Sequence, residues 1–250
     1  MKAPSFRSGS GRLAGVVLLA AYAGFCWLMW GISMQYTGLD PDAAFLRIKQ
    51  DYTGMLHYRI AFFIHAFASL LALPAGFTQF SASFRRRWPQ AHRRLGYVYI
   101  AGILLLAGPT GFVLAVYANG GWSSQLAFVL LAAGWWYFTW QALRAARRRQ
   151  WRLHRDWMYR SFALTLSAIT LRAWKYGLVA LFHPPPMDVY RLVAWLGWTV
   201  NLLAAEAILL YRYYPNRIPQ FLLHAPLSPR PGRRSTLRVQ PAPDAVPDER

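Results

Sequence analysis

Residues 124–160 read SQLAFVLLAAGWWYFTWQALRAARRRQWRLHRDWMYR. Ser124 to Leu143 carries no charge, whereas the stretch that follows holds Arg144, Arg147, Arg148, Arg149, Arg152 and Arg155. About 20 apolar residues make a helix as long as the hydrocarbon of a bilayer is thick. A short arginine-crowded loop at one end is what the cytoplasmic side of such a helix carries. This stretch alone predicts an integral membrane protein.

Working outward, five more runs of the same kind appear: Leu13 to Met34, Tyr58 to Ala82, Gly96 to Ala118, Trp157 to Phe182 and Val189 to Tyr213. The expected fold is all-α, a bundle of six transmembrane helices over residues 1–214. A basic tail over 215–250, rich in Pro and Arg, is expected to be disordered and to lie along anionic headgroups. Composition agrees: 15% of residues are charged and 56% hydrophobic, against roughly 25% charged in soluble chains. The net charge of +19 would suit nucleic acid or anionic lipid. The arginines sit in short loops between apolar runs, which favours inner-leaflet lipid over nucleic acid. The single Cys26 lies inside an apolar run and says little about redox compartment.

The first run follows Lys2, Arg7 and Arg12. It is too long for a signal peptide and no Ala-x-Ala site follows, so it reads as an uncleaved first helix. Loop charges give an orientation. The second loop holds Arg85, Arg86, Arg87, Arg93 and Arg94, while the third (Asn119 to Ser123) and fifth (His183 to Asp188) hold no Lys or Arg. Loops two and four and both termini are therefore expected in the cytoplasm of a bacterium, the chain lying in its plasma membrane. The first loop then faces outside. There Asp40 and Pro41 suit a helix start, and Ala43, Ala44, Phe45 and Ile48 suit either a short interfacial helix or a plain loop.

The two basic loops are related without a gap. Gln79, Arg85 to Arg87, His92, Arg93 and Tyr97 recur as Gln141, Arg147 to Arg149, His154, Arg155 and Tyr159. Runs two and three and runs four and five thus read as two similar hairpins, a parallel repeat about an axis along the membrane normal. Shared composition of inside loops is the plainer alternative.

Polar groups inside a bilayer are costly and mark functional hypotheses. The second run carries His65, Ser69, Ala72, Gly76 and Gln79 on one face. The fifth carries Met158, Ser161, Thr165, Ala168 and Arg172, with His154 just before it. Arg172 and Lys175 lie toward the outer end, where long cationic chains can reach headgroups; alternatively Arg172 faces His65. The sixth carries Asn201 and Glu206, and Arg160 is a cation able to balance Glu206 in an ion pair. The six histidines fit no Cys-x-x-Cys-His or His-Glu-x-x-His spacing. Neutral imidazoles at matching depth can nevertheless hold haem iron, so His92 and His154 are candidate axial ligands of haem b. Arg93 and Arg155 would neutralise its propionates. Hydrogen bonding of the same histidines at the inner interface is the structural alternative.

His65, the His92-Arg93-x-Leu95-Gly96 sequence and the His154-x-x-Trp157-Met158-x-Arg160-Ser161 sequence resemble the bacterial predicted membrane proteins grouped as domain of unknown function 2306. Arg172 fits an arginine late in that family's fifth helix. The resemblance covers roughly residues 58–214 and implies fold and membrane location without a reaction. A fainter similarity links the chain to six-helix b-type cytochromes. It departs from them in having no histidine in the fourth run, where Ala127 aligns with His65. Two functions follow as expectations: a haem-binding or quinone-linked redox protein, or a non-enzymatic transporter or assembly factor using the polar faces of runs two and five.

Overall fold

The structure, a computed structural model, describes residues 9–213, and among them every regular element is helical. Lys2, Arg7 and the expected tail over 215–250 lie outside the described residues. Among the described residues, those up to Leu210 form one compact unit, and 211–213, the last turn of a helix, are assigned to a second.

Helix α1 spans Gly9–Met34. A 3₁₀-helix, Ala44–Lys49, and the single turn α2, Gln50–Thr53, follow it. Helix α3 is Leu56–Thr78, and α4, Ala82–Arg87, begins where Ser81 Oγ accepts the Phe84 N–H at 3.1 Å. Helix α5, Pro89–Ala101, continues through a π-helical stretch, Gly102–Ala107, into α6, Gly108–Val116. Helix α7 is Trp122–Arg147, α8 Trp151–Thr165, α9 Ser167–Phe182 and α10 Pro186–Tyr213.

Five of these spans are long and apolar enough to cross a membrane: Gly15–Met34, Leu56–Thr78, Pro89–Val116, Trp122–Arg147 and Pro186–Tyr213. The fifth predicted run is divided at Leu166. Its pieces hold 15 and 16 residues, each about 24 Å long or less and shorter than a bilayer core. The cause lies on α10. In an unbroken helix the Ala163 carbonyl would take the Ser167 N–H; here it accepts Asn201 Nδ2 at 3.1 Å. Thr170 Oγ1 reaches across to the Gly197 carbonyl at 2.5 Å and ties the same place to α10. A side chain inserted into the helical ladder is a standard source of a kink.

The π-helical stretch has a cause as well. Pro109 has no N–H to give to the preceding turn, and side chains take up the carbonyls around it. Trp136 Nε1 donates to Leu104 O at 3.1 Å, Thr110 Oγ1 to Leu106 O at 2.6 Å, and the Ala107 carbonyl lies 2.9 Å from His65 Nδ1. Gly108 allows Trp136 to approach: a Cβ there would meet the indole Cδ1 at 3.1 Å.

The core lies among α3, α5 with its π-helical turn, α7 and α8. Ala68, Ala72, Ala75, Tyr99, Ile103, Ala107, Trp135, Ala142, Met158 and Leu164 are buried together there. Helix α1 leans on this core from one side, Met29 packing with Leu70, Leu73 and Ile169. Tyr22 donates to Leu73 O at 2.7 Å and stacks on Phe77.

Several boundaries differ from the hydropathy reading. The second run ends at Thr78 instead of Ala82. The third and fifth begin earlier, at Pro89 and Trp151, so His92 and His154 lie within helices rather than before them. Hydropathy registers the hydrocarbon-compatible part of a helix, and these first turns are polar. In the first loop a short helix does form, but Ala43 precedes it; Asp40 instead accepts the Asp42 N–H at 2.9 Å. Leu46 and Lys49 turn inward while Ile48 stays exposed. Lys49 Nζ donates to the Tyr117 carbonyl at the end of α6 and lies over the Tyr52 ring. Burial pulls its pKa below the ordinary lysine value, and Asp51 opposes that.

Candidate functional site

A fully hydrogen-bonded polar cluster fixes the middle of the bundle. Tyr99 of α5 lies 2.8 Å from both Ser161 Oγ and Thr165 Oγ1 of α8. Thr139 Oγ1 of α7 is 2.7 Å from Ser161 Oγ, and Trp135 Nε1 donates to Thr165 Oγ1 at 2.9 Å. Tyr99, Thr139 and Ser161 are 0% exposed. Gly76 of α3 lets the cluster close, since a Cβ there would stand 2.7 Å from Tyr99 and Phe162. Every member has a partner, so the cluster sets the relation of three helices rather than waiting for a ligand. Ser161 and Thr165 were legible as a polar face of the fifth run. Tyr99, Trp135 and Thr139 were not; an aromatic hydroxyl buried in an apolar run, four residues from no other polar group, gives no local signal.

Toward the arginine-poor end the geometry is different. His65 on α3 faces the π-helical turn. Its Nδ1 lies 2.9 Å from the Ala107 carbonyl, which can only accept, so Nδ1 carries the hydrogen. In the neutral ring Nε2 is then a lone-pair acceptor. Gly111 makes the room: a Cβ there would be 2.8 Å from His65 Cε1. Ser69, next on the stripe, returns its hydroxyl to the His65 carbonyl at 2.5 Å.

Arg172 on α9 stands in the electrostatic neighbourhood of His65, Tyr36 and Tyr176. Its Nη1 donates to the Ala168 carbonyl at 2.6 Å, one turn back along the helix. The guanidinium therefore points toward the bundle middle and the helix break, away from the nearer end of the span. The headgroup-seeking alternative does not describe this side chain. Lys175, by contrast, is exposed. Among the described residues the ion pairs are Arg155–Asp156, Arg160–Glu206 and Arg191–Asp188; none includes Arg172. An uncompensated arginine at membrane depth costs about 2.5–3.5 kcal/mol on insertion scales.

Toward the arginine-rich end, Glu206 of α10 and Arg160 of α8 meet. Arg160 Nε and Nη2 donate to the two carboxylate oxygens at 2.5 and 2.8 Å, and the guanidinium lies 4.9 Å from the Trp157 ring centre. The two-point geometry is the strong form of an arginine–carboxylate contact. Further out, His92 of α5 senses the charges of Arg85 and His154. His154 Nδ1 is 2.8 Å from the Ala142 carbonyl, so its hydrogen is placed there and Nε2 is left as acceptor. His92 Nδ1 is buried without a hydrogen-bond partner. Arg93 is exposed, and Arg155 approaches Asp156 at 4.0 Å. Asp156, 8% exposed between Arg155 and Trp157, is an acidic residue the sequence reading passed over. Its signal was present: one carboxylate in a loop of six arginines.

The structure thus places His65 within electrostatic range of Arg172 and His92 within that of His154, and joins Arg160 to Glu206 by hydrogen bonds. It keeps the first pair apart from the others, on the far side of the Tyr99 cluster. Among the described residues no three His, Cys, Asp or Glu side chains gather as a metal site. The family model for predicted membrane protein (DUF2306) matches residues 62–209. No curated protein and no solved structure matches the chain.

Proposed function

We propose, for a chain that belongs to the DUF2306 predicted membrane proteins by a match over more than half its length, a membrane-embedded binding role centred on His65 and Arg172. The ligand class is a membrane-soluble molecule with an electronegative head, a carboxylate or a quinone-type carbonyl. The observation that carries this is Arg172: a guanidinium turned toward the bundle middle with one carbonyl partner and no ion pair among the described residues. His65 supplies the second polar atom, Nε2, in a fixed tautomer. A carbonyl or carboxylate head supplies what the protein omits, an acceptor for the remaining guanidinium hydrogens. Toward His65 Nε2, an acceptor, the head must present an O–H. A quinone does so in its reduced, quinol form, which keeps the redox reading; a protonated fatty acid does so too, which fits the transporter reading.

The test is extraction of bound lipophiles from the purified full chain, with mass spectrometry of the extract. A quinone or free fatty acid enriched over bulk lipid, and lost in Arg172→Leu, is the expected result. An extract unchanged by Arg172→Leu overturns the assignment.

Six spans go with this reading, α8 and α9 together making the fifth, with the arginine-rich end in the bacterial cytoplasm. The repeat is supported by a hydrogen bond. Tyr99 and Ser161 are 62 residues apart, the offset that relates His92 to His154 and Gln79 to Gln141. Equivalent positions of two copies meet only on the axis relating them. Tyr99 with Ser161 is such a meeting, and His92 and His154, about 10 Å further along the helices, lie within electrostatic range of each other. Labelling of introduced cysteines at Ser123 and Asp188 from outside checks the orientation.

A second reading has its own observation, the buried, unpartnered Nδ1 of His92, within electrostatic range of His154. The donor set fits haem b held by two imidazoles, which would supply one-electron chemistry when bound. His154 is held by Ala142 O, and Arg93 and Arg155 could meet the propionates. A Soret band lost in both His92→Ala and His154→Ala is the expected outcome; a featureless spectrum of protein made with haem available sinks it.

A further inference from the structure

We infer that the arginine-rich end of α7 is a specific seat for the phosphodiester head of an anionic phospholipid. A shallow cavity of about 170 Å³ lies there, lined by Trp140, Leu143, Arg144, Arg147 and Arg148. It is independent of the His65–Arg172 reading.

Trp140, Arg144, Arg147 and Arg148 follow one another at spacings of four, three and one, so they share a face of the helix and its final turn. Like charges three and four apart repel. Cations near a helix C-terminus gain a few tenths to about 1 kcal/mol from the helix dipole, which accounts for one arginine and not for a cluster. None of the three arginines enters an ion pair among the described residues. The wall beneath them is built. Trp140 stacks on Trp136 at 5.8 Å between centres and 9° between planes, and Trp136 is anchored to Leu104 O. Both indoles stay 41% exposed.

The order along the helix selects the occupant. Apolar rings come first, toward the middle of the span, and cations follow one turn later. An acyl chain lying on Trp136 and Trp140 places its phosphate against Arg144 and Arg148. A soluble anion would use the arginines and leave the indoles bare. The first copy of the repeat gives a contrast. At the same 62-residue offset it has Thr78, Ser81 and Ala82 in place of Trp140, Leu143 and Arg144, and its helix ends at Thr78. It keeps the charge of Arg85, Arg86 and Arg87, but its rings, Phe84 and Trp88, flank the cations instead of preceding them along a long helix.

The full chain, purified in mild detergent, is titrated with phosphatidylglycerol or phosphatidylcholine and retained lipid is counted by native mass spectrometry. Phosphatidylglycerol is expected to be preferred. Arg144→Gln with Arg148→Gln should weaken its retention roughly thirtyfold, from about 1 kcal/mol for each of two surface cations, while Arg85→Gln with Arg86→Gln changes it little. Equal losses from the two pairs mean diffuse charge and overturn the seat. Displacement of the lipid by millimolar inorganic phosphate means a simple anion site and overturns it too. Tail-brominated phosphatidylglycerol provides a second measure that needs no arginine variant. It should quench fluorescence more in the parent than in Trp140→Phe; equal quenching refutes the wall.

Discussion

Arg172→Leu tests the central argument through stability. The substitution removes one hydrogen bond, to Ala168 O, worth about 0.6–1.7 kcal/mol in a membrane. It also removes a cation whose burial costs about 2.5–3.5 kcal/mol and that no ion pair among the described residues offsets. The denatured helix stays partly in detergent, so the insertion figure is an upper bound. The net is about 1–2 kcal/mol in favour of leucine once bound lipophiles are stripped. At about 2–4 °C per kcal/mol for a chain of this size, the melting midpoint rises by about 2–8 °C. The assay is a thermal melt of delipidated protein, followed by tryptophan emission. Arg172→Lys keeps the charge and should not share the gain. A fall in midpoint for Arg172→Leu refutes the reasoning, because it would mean that the guanidinium already has its counter-charge within the protein.

Gly111→Ala places a Cβ 2.8 Å from His65 Cε1; the ring must move, with an overpacking cost of about 1–3 kcal/mol, read as a lower midpoint and loss of lipophile binding together. Asn201→Leu returns the Ala163 carbonyl to the Ser167 N–H, so amide exchange at Ser167 should slow, and unchanged exchange would assign the break elsewhere. Lys49 gives a pH effect. Its folded pKa lies below the ordinary value because of burial, so the unfolded chain binds the extra proton and stability rises with pH up to about 10.4. The midpoint of the parent should gain on that of Lys49→Met as pH rises toward the ordinary lysine value of about 10.4, and a parallel pair of curves would contradict the burial.

The apolar runs were legible because hydrocarbon imposes one requirement on every residue within it. Glu206 and Arg160 were legible as a pair because each is the nearest opposite charge at similar depth. The ends were not, since Pro89 to Leu95 and Trp151 to Asp156 stay helical in polar surroundings that hydropathy assigns to loops. The break at Leu166 was hidden for a different reason: its cause, Asn201, is 38 residues from the carbonyl it takes. The direction of Arg172 was open in the sequence because reach toward a headgroup and reach toward His65 use the same side chain. Only the position of the Ala168 carbonyl separates them.

The π-helical turn has a consequence for phase. Tyr99, Ile103, Ala107 and Ala115 are all buried, and Gly111 meets His65, so one stripe recurs every fourth residue. At 100° per residue, the sixteen steps from Tyr99 to Ala115 would overshoot four turns by about 160° in a plain α-helix. The two ends of the stripe would then face opposite ways. One extra residue held in a wide turn takes back about 100°, and the rest fits within the width of an ordinary helix face. The stretch Gly102–Ala107 is a phase corrector that keeps both halves of the span looking at α3. Drawing Gly102–Ala107 into plain α-helix at full length would twist the outer half by about 100° and carry Gly111 off the His65 ring. Deleting one residue as the wide turn closes instead leaves eleven steps of about 100° from Tyr99 to Gly111, and the same facing.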